Sequence, residues 1–265
     1  MADEERDTIA NPHNTYVRGR VSVITATFNA AKTLSTCLES VASQSYRDIE
    51  HIVIDGGSQD ATLDILRRAD GFRMRWSSEP DRGIYDAWNK GIAAATGEWI
   101  AFLGADDRYC DGAVQAYMEA VDGRNIDYLC GLVRWIPANE TPKIIGAPWS
   151  WPAFQCEMRQ AHVGSLHHRQ LFELYGEYDL SYKIVGDYEF LLRARHNLTA
   201  LFVPVITAEM DAGGVSDSFR ALKEAERAKV ESGGRPRAQA RLEFWIKGAK
   251  LMVRRALVRL RSRSR

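Results

Sequence analysis

The chain has 265 residues with 35 basic and 35 acidic side chains, enough for one good-sized domain with an appendage. Its apolar and charged fractions are ordinary for a globular protein, so a core forms without metal or disulfide staples. The zero net charge excludes a general pull toward nucleic acid. The balance hides an asymmetry, since Met1 to Asp7 is acidic while the charged residues from Lys247 to Arg265 are basic. Cys37, Cys110, Cys130 and Cys156 are scattered without metal-ligand spacing, as a reducing cytosol tolerates. With no secretory leader and no apolar run near the roughly 20 residues that span a bilayer, the expectation is a cytoplasmic protein.

In chain order, residues 1–19 read as a flexible leader. Val21-Ser-Val-Ile-Thr-Ala26 is a buried strand, followed by a helix with Leu34, Leu38 and Val41 on one face. Ile49 to Ile54 is a second strand, with Asp60 capping the helix that contains Leu63, Ile65 and Leu66. Arg73 to Ser77, Ile84 to Ala95 and Trp99 to Leu103 continue as strand, helix and strand. Such alternation predicts βαβ units and a Rossmann-like, mostly parallel sheet flanked by helices. Further on, Tyr128 to Trp135 and Leu201 to Thr207 read as strands, and Gln170 to Tyr175 and Tyr188 to Arg195 as helices. Pro142 to Phe154 breaks the pattern and reads as a mobile loop. A basic helix from Arg241 onward carries Leu242, Trp245, Ile246, Leu251, Val253, Leu257 and Leu260.

Ligands of open α/β sheets sit outside the carboxyl ends of the strands. Four polar clusters fall there: Thr27 to Asn29, Asp55 to Ser58, Glu79 to Asp81, and Asp106-Asp107. Any one of them could be a cap or turn; together they point to one rim. Two adjacent carboxylates repel unless a cation is near, and hard divalent ions favour oxygen ligands and phosphate. The alternative is that Asp106 caps a turn and Asp107 is solvated. No G-x-G-x-x-G follows the first strand, and neither a P-loop nor a G-x-S-x-G elbow is present. The phosphate cradles of dinucleotide and P-loop enzymes are therefore missing, as is a hydrolase nucleophile.

Val21-Ser-Val-Ile-Thr-Ala-Thr-Phe-Asn29, Ile54-Asp-Gly-Gly-Ser58, Ser78-Glu-Pro-Asp-Arg-Gly-Ile-Tyr-Asp-Ala-Trp-Asn-Lys-Gly91 and Gly97-Glu-Trp-Ile-Ala-Phe-Leu-Gly-Ala-Asp-Asp107 resemble, in that order, the family-2 glycosyltransferases with the GT-A fold. The likeness is strong over about 20–125 and looser over 126–215. Glu79 to Gly91 looks most like bacterial enzymes of colanic acid, O-antigen or capsule synthesis. The resemblance implies a nucleotide-sugar donor, with a UDP-sugar favoured, and Mn²⁺ or Mg²⁺ as cofactor. Nucleotide-sugar contacts would come from Thr25, Thr27, Asn29, Asp55, Gly57, Ser58, Asp81, Asp86, Asn89, Lys90, Ala105 and Asp106, and metal ligands from Asp106 with Asp107. Two positions depart from the family pattern: Gly104 replaces the first acid of D-x-D, and Trp88 replaces a common arginine.

Gly186-Asp187-Tyr-Glu-Phe-Leu-Leu-Arg193 resembles the family's E-D-x-x-x-x-L-R segment, with glycine for glutamate. It implies Asp187 as the base of an inverting displacement, with Glu189 as reserve; the plain alternative is that Asp187 caps the helix. His162, His167, Trp149 and Glu189 are acceptor-side candidates. The histidines, His168 included, could with Asp211 and Ser216 around the Gly213-Gly214 turn line the acceptor side or complete the metal shell, while Trp149, Trp151 and Phe154 could stack on sugar faces or pack the loop. The expected organisation is a 20–215 domain, with donor half 20–125 and acceptor half 126–215, and a basic helical extension over 216–265. A saccharide or lipid-linked saccharide is the expected acceptor. The basic extension suits an anionic membrane surface, placing the protein peripherally on the inner face of the plasma membrane. A nucleotidyltransferase and a non-catalytic nucleotide-sugar or glycan binding module are the competing readings.

Overall fold

The computed structural model describes residues 16–69, 74–137, 141–211 and 218–263, with side chains to 256. Its first half realises the alternation read from the sequence: β1 (Val17–Thr27), α1 (Leu34–Ala42), β2 (Ile49–Asp55), α2 (Thr62–Ala69), β3 (Met74–Ser78), α3 (Ile84–Ala94) and β4 (Gly97–Phe102). The apolar runs are continuous because both faces of these strands are covered. On β4, Ile100 and Phe102 pack with α3 residues Ala87, Trp88 and Ile92. Trp99 and Ala101 face the other way, in one cluster with Cys37 and Val41 of α1.

The second half contributes β5 (Arg108–Tyr109), α4 (Ala113–Val121), β6 (Tyr128–Ile136), β7 (Lys143–Ile145), α5 (Trp151–Phe154), β8 (Ser165–His168), α6 (Gln170–Tyr175), α7 (Gly186–Ala194) and β9 (Ala200–Asp211), followed by α8 (Phe219–Glu231) and α9 (Arg237–Arg263). The sheet runs β3-β2-β1-β4-β8-β6-β9-β5, with β7 on β6. The pairs β1–β2, β1–β4, β2–β3 and β6–β9 are parallel; β8 joins the two halves by antiparallel pairing with both β4 and β6. The parallel set aligns the ends of β1 to β4 on one rim.

The stretch read as a mobile loop, Pro142 to Phe154, instead holds β7 and the helical turn α5. Ile145 pairs with Val133, and Phe154 is buried, so strand pairing and aromatic burial organise the stretch despite its prolines. Arg73 and the Gly213-Gly214 turn with Ser216 lie outside the described residues.

Candidate active site

The ends of β1 and β2 are stapled into one polar loop pair. Asp55 is fully buried and accepts from the Gly57 and Ser58 amides at 3.1 and 2.9 Å, from Ser58 Oγ at 2.5 Å and from Ser78 Oγ at 2.6 Å. Asn29 adopts a left-handed φ of 51°, which asparagine tolerates better than most residues. Its amide donates to Ser58 Oγ at 2.7 Å, and its Oδ1 accepts from the Gln59 amide. Thr27, at the end of β1, has a buried hydroxyl with no partner among the described residues. Thr25 points into the core instead, 3.0 Å from His51 Nε2.

The loop after β3 is held on α3 by Lys90, whose Nζ lies 2.8 Å from Glu79 and 3.3 Å from the Pro80 carbonyl. Asp86 accepts from the Arg82 amide and guanidinium. Asn89 bridges to the Tyr178 backbone in both directions. These three residues bind loops to helix. Asp81 lies where a Cβ on Gly56 would fall, its Oδ2 2.6 Å from that point, and Gly57 takes a φ of 86° beside Pro80. Ala105 is buried with Leu34, Leu38 and Val53, anchoring the turn that carries the acid pair.

Asp106, Asp107 and Asp187 line one cleft of about 550 Å³, together with Trp88, Phe102, Gln160 and His162. A Cβ on Gly104 would lie 2.5 Å from Asp107 Oδ2 and 2.8 Å from Asp106 Oδ1, so both carboxylates converge over the glycine that replaces the family's first acid. Burial, then the neighbouring Asp106, pushes the Asp107 carboxyl up to about 7; Asp106 itself is exposed. The pair fits part of a hard-cation shell, because a cation there would relieve the repulsion that raises Asp107. Among the described residues no group of three His, Cys, Asp or Glu could hold a metal, so a cation at this pair would need other ligands as well.

Asp187 sits in the first turn of α7. Burial raises its carboxyl to about 6. Tyr85 of α3 ties this turn down, accepting the Gly186 amide at 2.7 Å and donating to Asp187 Oδ1 at 3.3 Å. A Cβ at Gly186 would fall 2.8 Å from the Tyr85 ring, which accounts for the glycine where the family carries glutamate. From the C-terminal side, one Glu224 oxygen accepts the Lys183 and Ile184 amides at 3.0 and 2.9 Å and fixes the approach to α7. The sequence reading missed Tyr85 and Glu224. Tyr85 stands one turn before Trp88 and Asn89, a spacing that marks a shared helix face; no local signal links Glu224 to residue 183.

The other candidates separate. His162 lines the cleft, its ring stacked on Phe102 at 5.0 Å and 4.8 Å from Trp88, and burial drops its pKa to about 3, leaving it neutral. His162 Nδ1 and Trp88 Nε1 have no partner among the described residues. His167 is fully buried behind them. Trp149 packs on Phe154 with centroids 4.2 Å apart. Glu189 is buried and held by Arg193 and by Ser232 Oγ at 2.5 Å, so its carboxylate is committed to the fold. A larger groove of about 870 Å³ between α8 and α9 reaches none of the strand-end residues, and its wall carries the ion pairs Arg220–Glu224, Arg227–Glu231 and Arg241–Glu226.

Residues 22–168 match the family described as Glycosyl transferase family 2. A "PGL/p-HBAD biosynthesis glycosyltransferase" of Mycobacterium tuberculosis is 32% identical over 213 residues, covering 75% of this chain and 79% of the relative. An "uncharacterized glycosyltransferase" of the same species is 36% identical over 208 residues, covering 74% and 76%. Two solved structures share the fold. One is S. aureus TarS 1-349 in complex with UDP-GlcNAc, with TM-score 0.65, 16% identity and coverage of 85% and 70%. The other is the mannosyltransferase PcManGT from Pyrobaculum calidifontis in complex with GDP-Man and Mn2+, with TM-score 0.65, 17% identity and coverage of 92% and 77%.

Proposed function

The chain is a glycosyltransferase of family 2 with the GT-A fold, and from that premise we propose that it moves a sugar from a nucleotide-diphosphate donor, a UDP-sugar in the first instance, to a hydroxyl of a saccharide acceptor with inversion. The observation that carries this reading is one cleft lined both by the Asp106-Asp107 pair and by Asp187 with its raised pKa. The nucleotide sugars in the two structural relatives, and the Mn2+ in the mannosyltransferase, support a diphosphate leaving group and a divalent ion.

In this reading residues 20–125 form the donor half, 126–215 the acceptor half and 216–265 a helical extension. The staples between Asn29, Asp55 and Ser58 preorganise the nucleotide loops. Asp187, mostly ionised at neutral pH with a pKa of about 6, takes the proton from the acceptor hydroxyl while its oxygen bonds to the anomeric carbon. The bond from that carbon to the diphosphate oxygen breaks in the same displacement, so the configuration inverts. Asp106 and Asp107 would hold Mn²⁺ or Mg²⁺, which when bound stabilises the negative charge of the departing diphosphate. Because no group of three metal-ligating side chains gathers there among the described residues, donor oxygens would complete the shell, and metal affinity would be low until donor binds. The acceptor is a lipid-linked saccharide of surface-polysaccharide synthesis, met at the inner face of the plasma membrane.

The test is a panel of UDP-, GDP- and dTDP-sugars with Mn²⁺ or Mg²⁺, read as transfer or donor hydrolysis. One donor class is expected to turn over, and a folded protein inert to all of them overturns the reading. Asp187→Asn is expected to keep donor binding and lose about 10²–10⁴-fold in rate. Full activity in that variant moves the base elsewhere, and an inactive wild type that still binds donor favours a binding module. Tight Mn²⁺ binding to donor-free protein overturns the shared-shell reading.

A further inference from the structure

Helix α9 carries two apolar stripes on opposite sides. Ala240 and Leu251 are buried, Phe244 lines the active cleft and Gly248 lies against Phe219, a spacing of three to four that defines one face. On the far side Leu242, Trp245, Ile246, Met252 and Val253 are 61, 62, 47, 54 and 60% exposed. Five large apolar side chains on one outward face exceed the scatter normal for a soluble surface. Residues 237–263 include nine Lys or Arg and a single acid, Glu243, which Lys229 and Arg235 already engage. Arg241–Glu226 and Lys247–Glu157 pairs also tie α9 to the body, so the stripe is presented in a fixed direction.

We propose that the outward face of α9 docks on an anionic lipid bilayer, lying in the interfacial plane with Leu242, Trp245, Ile246, Met252 and Val253 entering the headgroup boundary and the exposed Lys250 among the headgroups. An apolar stripe within a strongly cationic helix is the composition of interfacial anchors, and each basic residue near an anionic leaflet adds attraction. A second copy of the chain seated on the same stripe would set two cationic helices face to face, which the charge opposes. No helix among the described residues is long and apolar enough to cross a membrane, in keeping with lying on it. The opposite face of α9 supplies Ala240, Phe244 and Lys247 to the wall of the cleft, so docking brings the cleft to the lipid surface. That last link rests on the lipid-linked acceptor reading above; the docking face itself does not.

The experiment is cosedimentation of the full chain with phosphatidylcholine vesicles, with and without phosphatidylglycerol, at low and high salt. Binding is expected on the anionic vesicles alone and is expected to fall with salt. The exposed-face variant Trp245→Ala with Val253→Ala is expected to bind about tenfold more weakly, and Lys250→Glu also more weakly, with transfer to a soluble saccharide unchanged in both. Absence of binding to anionic vesicles, or equal binding by wild type and the double variant, overturns the proposal. So does a concentration-dependent dimer that Trp245→Ala dissolves, which assigns the stripe to a second copy. Vesicle binding without sugar transfer from any donor overturns the catalytic reading and leaves the docking face standing; transfer without vesicle binding does the reverse.

Discussion

Asp55 at the β2 end is a fully buried carboxylate and Asp187 at the start of α7 a half-buried one, and their surroundings differ. Asp55 accepts two amides and two hydroxyls. Asp187 has one side-chain donor among the described residues, Tyr85 at 3.3 Å, besides the amides of its own turn, and burial still raises its pKa to about 6. The β1 and β2 ends, Thr27 Oγ1 apart, pair their polar groups with each other, whereas the cleft holds Asp187 and Asp107 at raised pKa and leaves Trp88 Nε1 and His162 Nδ1 without a partner among the described residues. Groups held away from their most stable state are where chemistry or ligand binding is accommodated. Glu189, two residues beyond Asp187 on the same helix, belongs with the rim: Arg193 and Ser232 saturate it.

The strongest test of this contrast is Asp55→Ala. It strands the donors that converge on a fully buried carboxylate, so a loss of about 3 kcal/mol in urea unfolding is expected, with a raised donor KM. Unchanged stability would remove the preorganised rim from the comparison. Asp107→Asn is expected to act in the opposite direction. A folded pKa of about 7 lies above the ordinary carboxylate value of about 3.9, so ionised Asp107 costs stability progressively as pH rises from about 4 through 7. The variant should gain about 1 kcal/mol at pH 8 without metal, a figure discounted for partial solvent exposure, gain almost nothing at pH 4, and lose metal-dependent activity. A pH-independent gain would locate the effect elsewhere.

The smallest expected effect belongs to Tyr85→Phe. Its hydroxyl favours ionised Asp187, so removal shifts the acid limb of kcat/KM upward by about half a pH unit, with activity above pH 8 nearly retained. Gly186→Ala, which drives a Cβ toward the Tyr85 ring, should give the same shift and a lower kcat. A uniform loss at every pH in both variants would reduce Tyr85 to packing.

Sequence alone determined the βα alternation and the polar rim, because continuous apolar strands, helical periodicity and strand-end acids are local patterns that report their own burial. It also marked Gly104 and Gly186 as unusual. Only tertiary structure decided what those glycines admit: converging carboxylates over one, and the Tyr85 ring over the other. It likewise decided that Glu189 is locked while Asp187 is open, that Pro142 to Phe154 is ordered by β7 and α5, and that Leu251 faces inward while Trp245 faces out. For Glu189, Gly186 and the α7 approach a deciding partner is remote in sequence: Ser232, Tyr85 and Glu224 respectively. A periodic pattern fixes which side of an element is apolar, but the group that meets that side is chosen by packing across the fold.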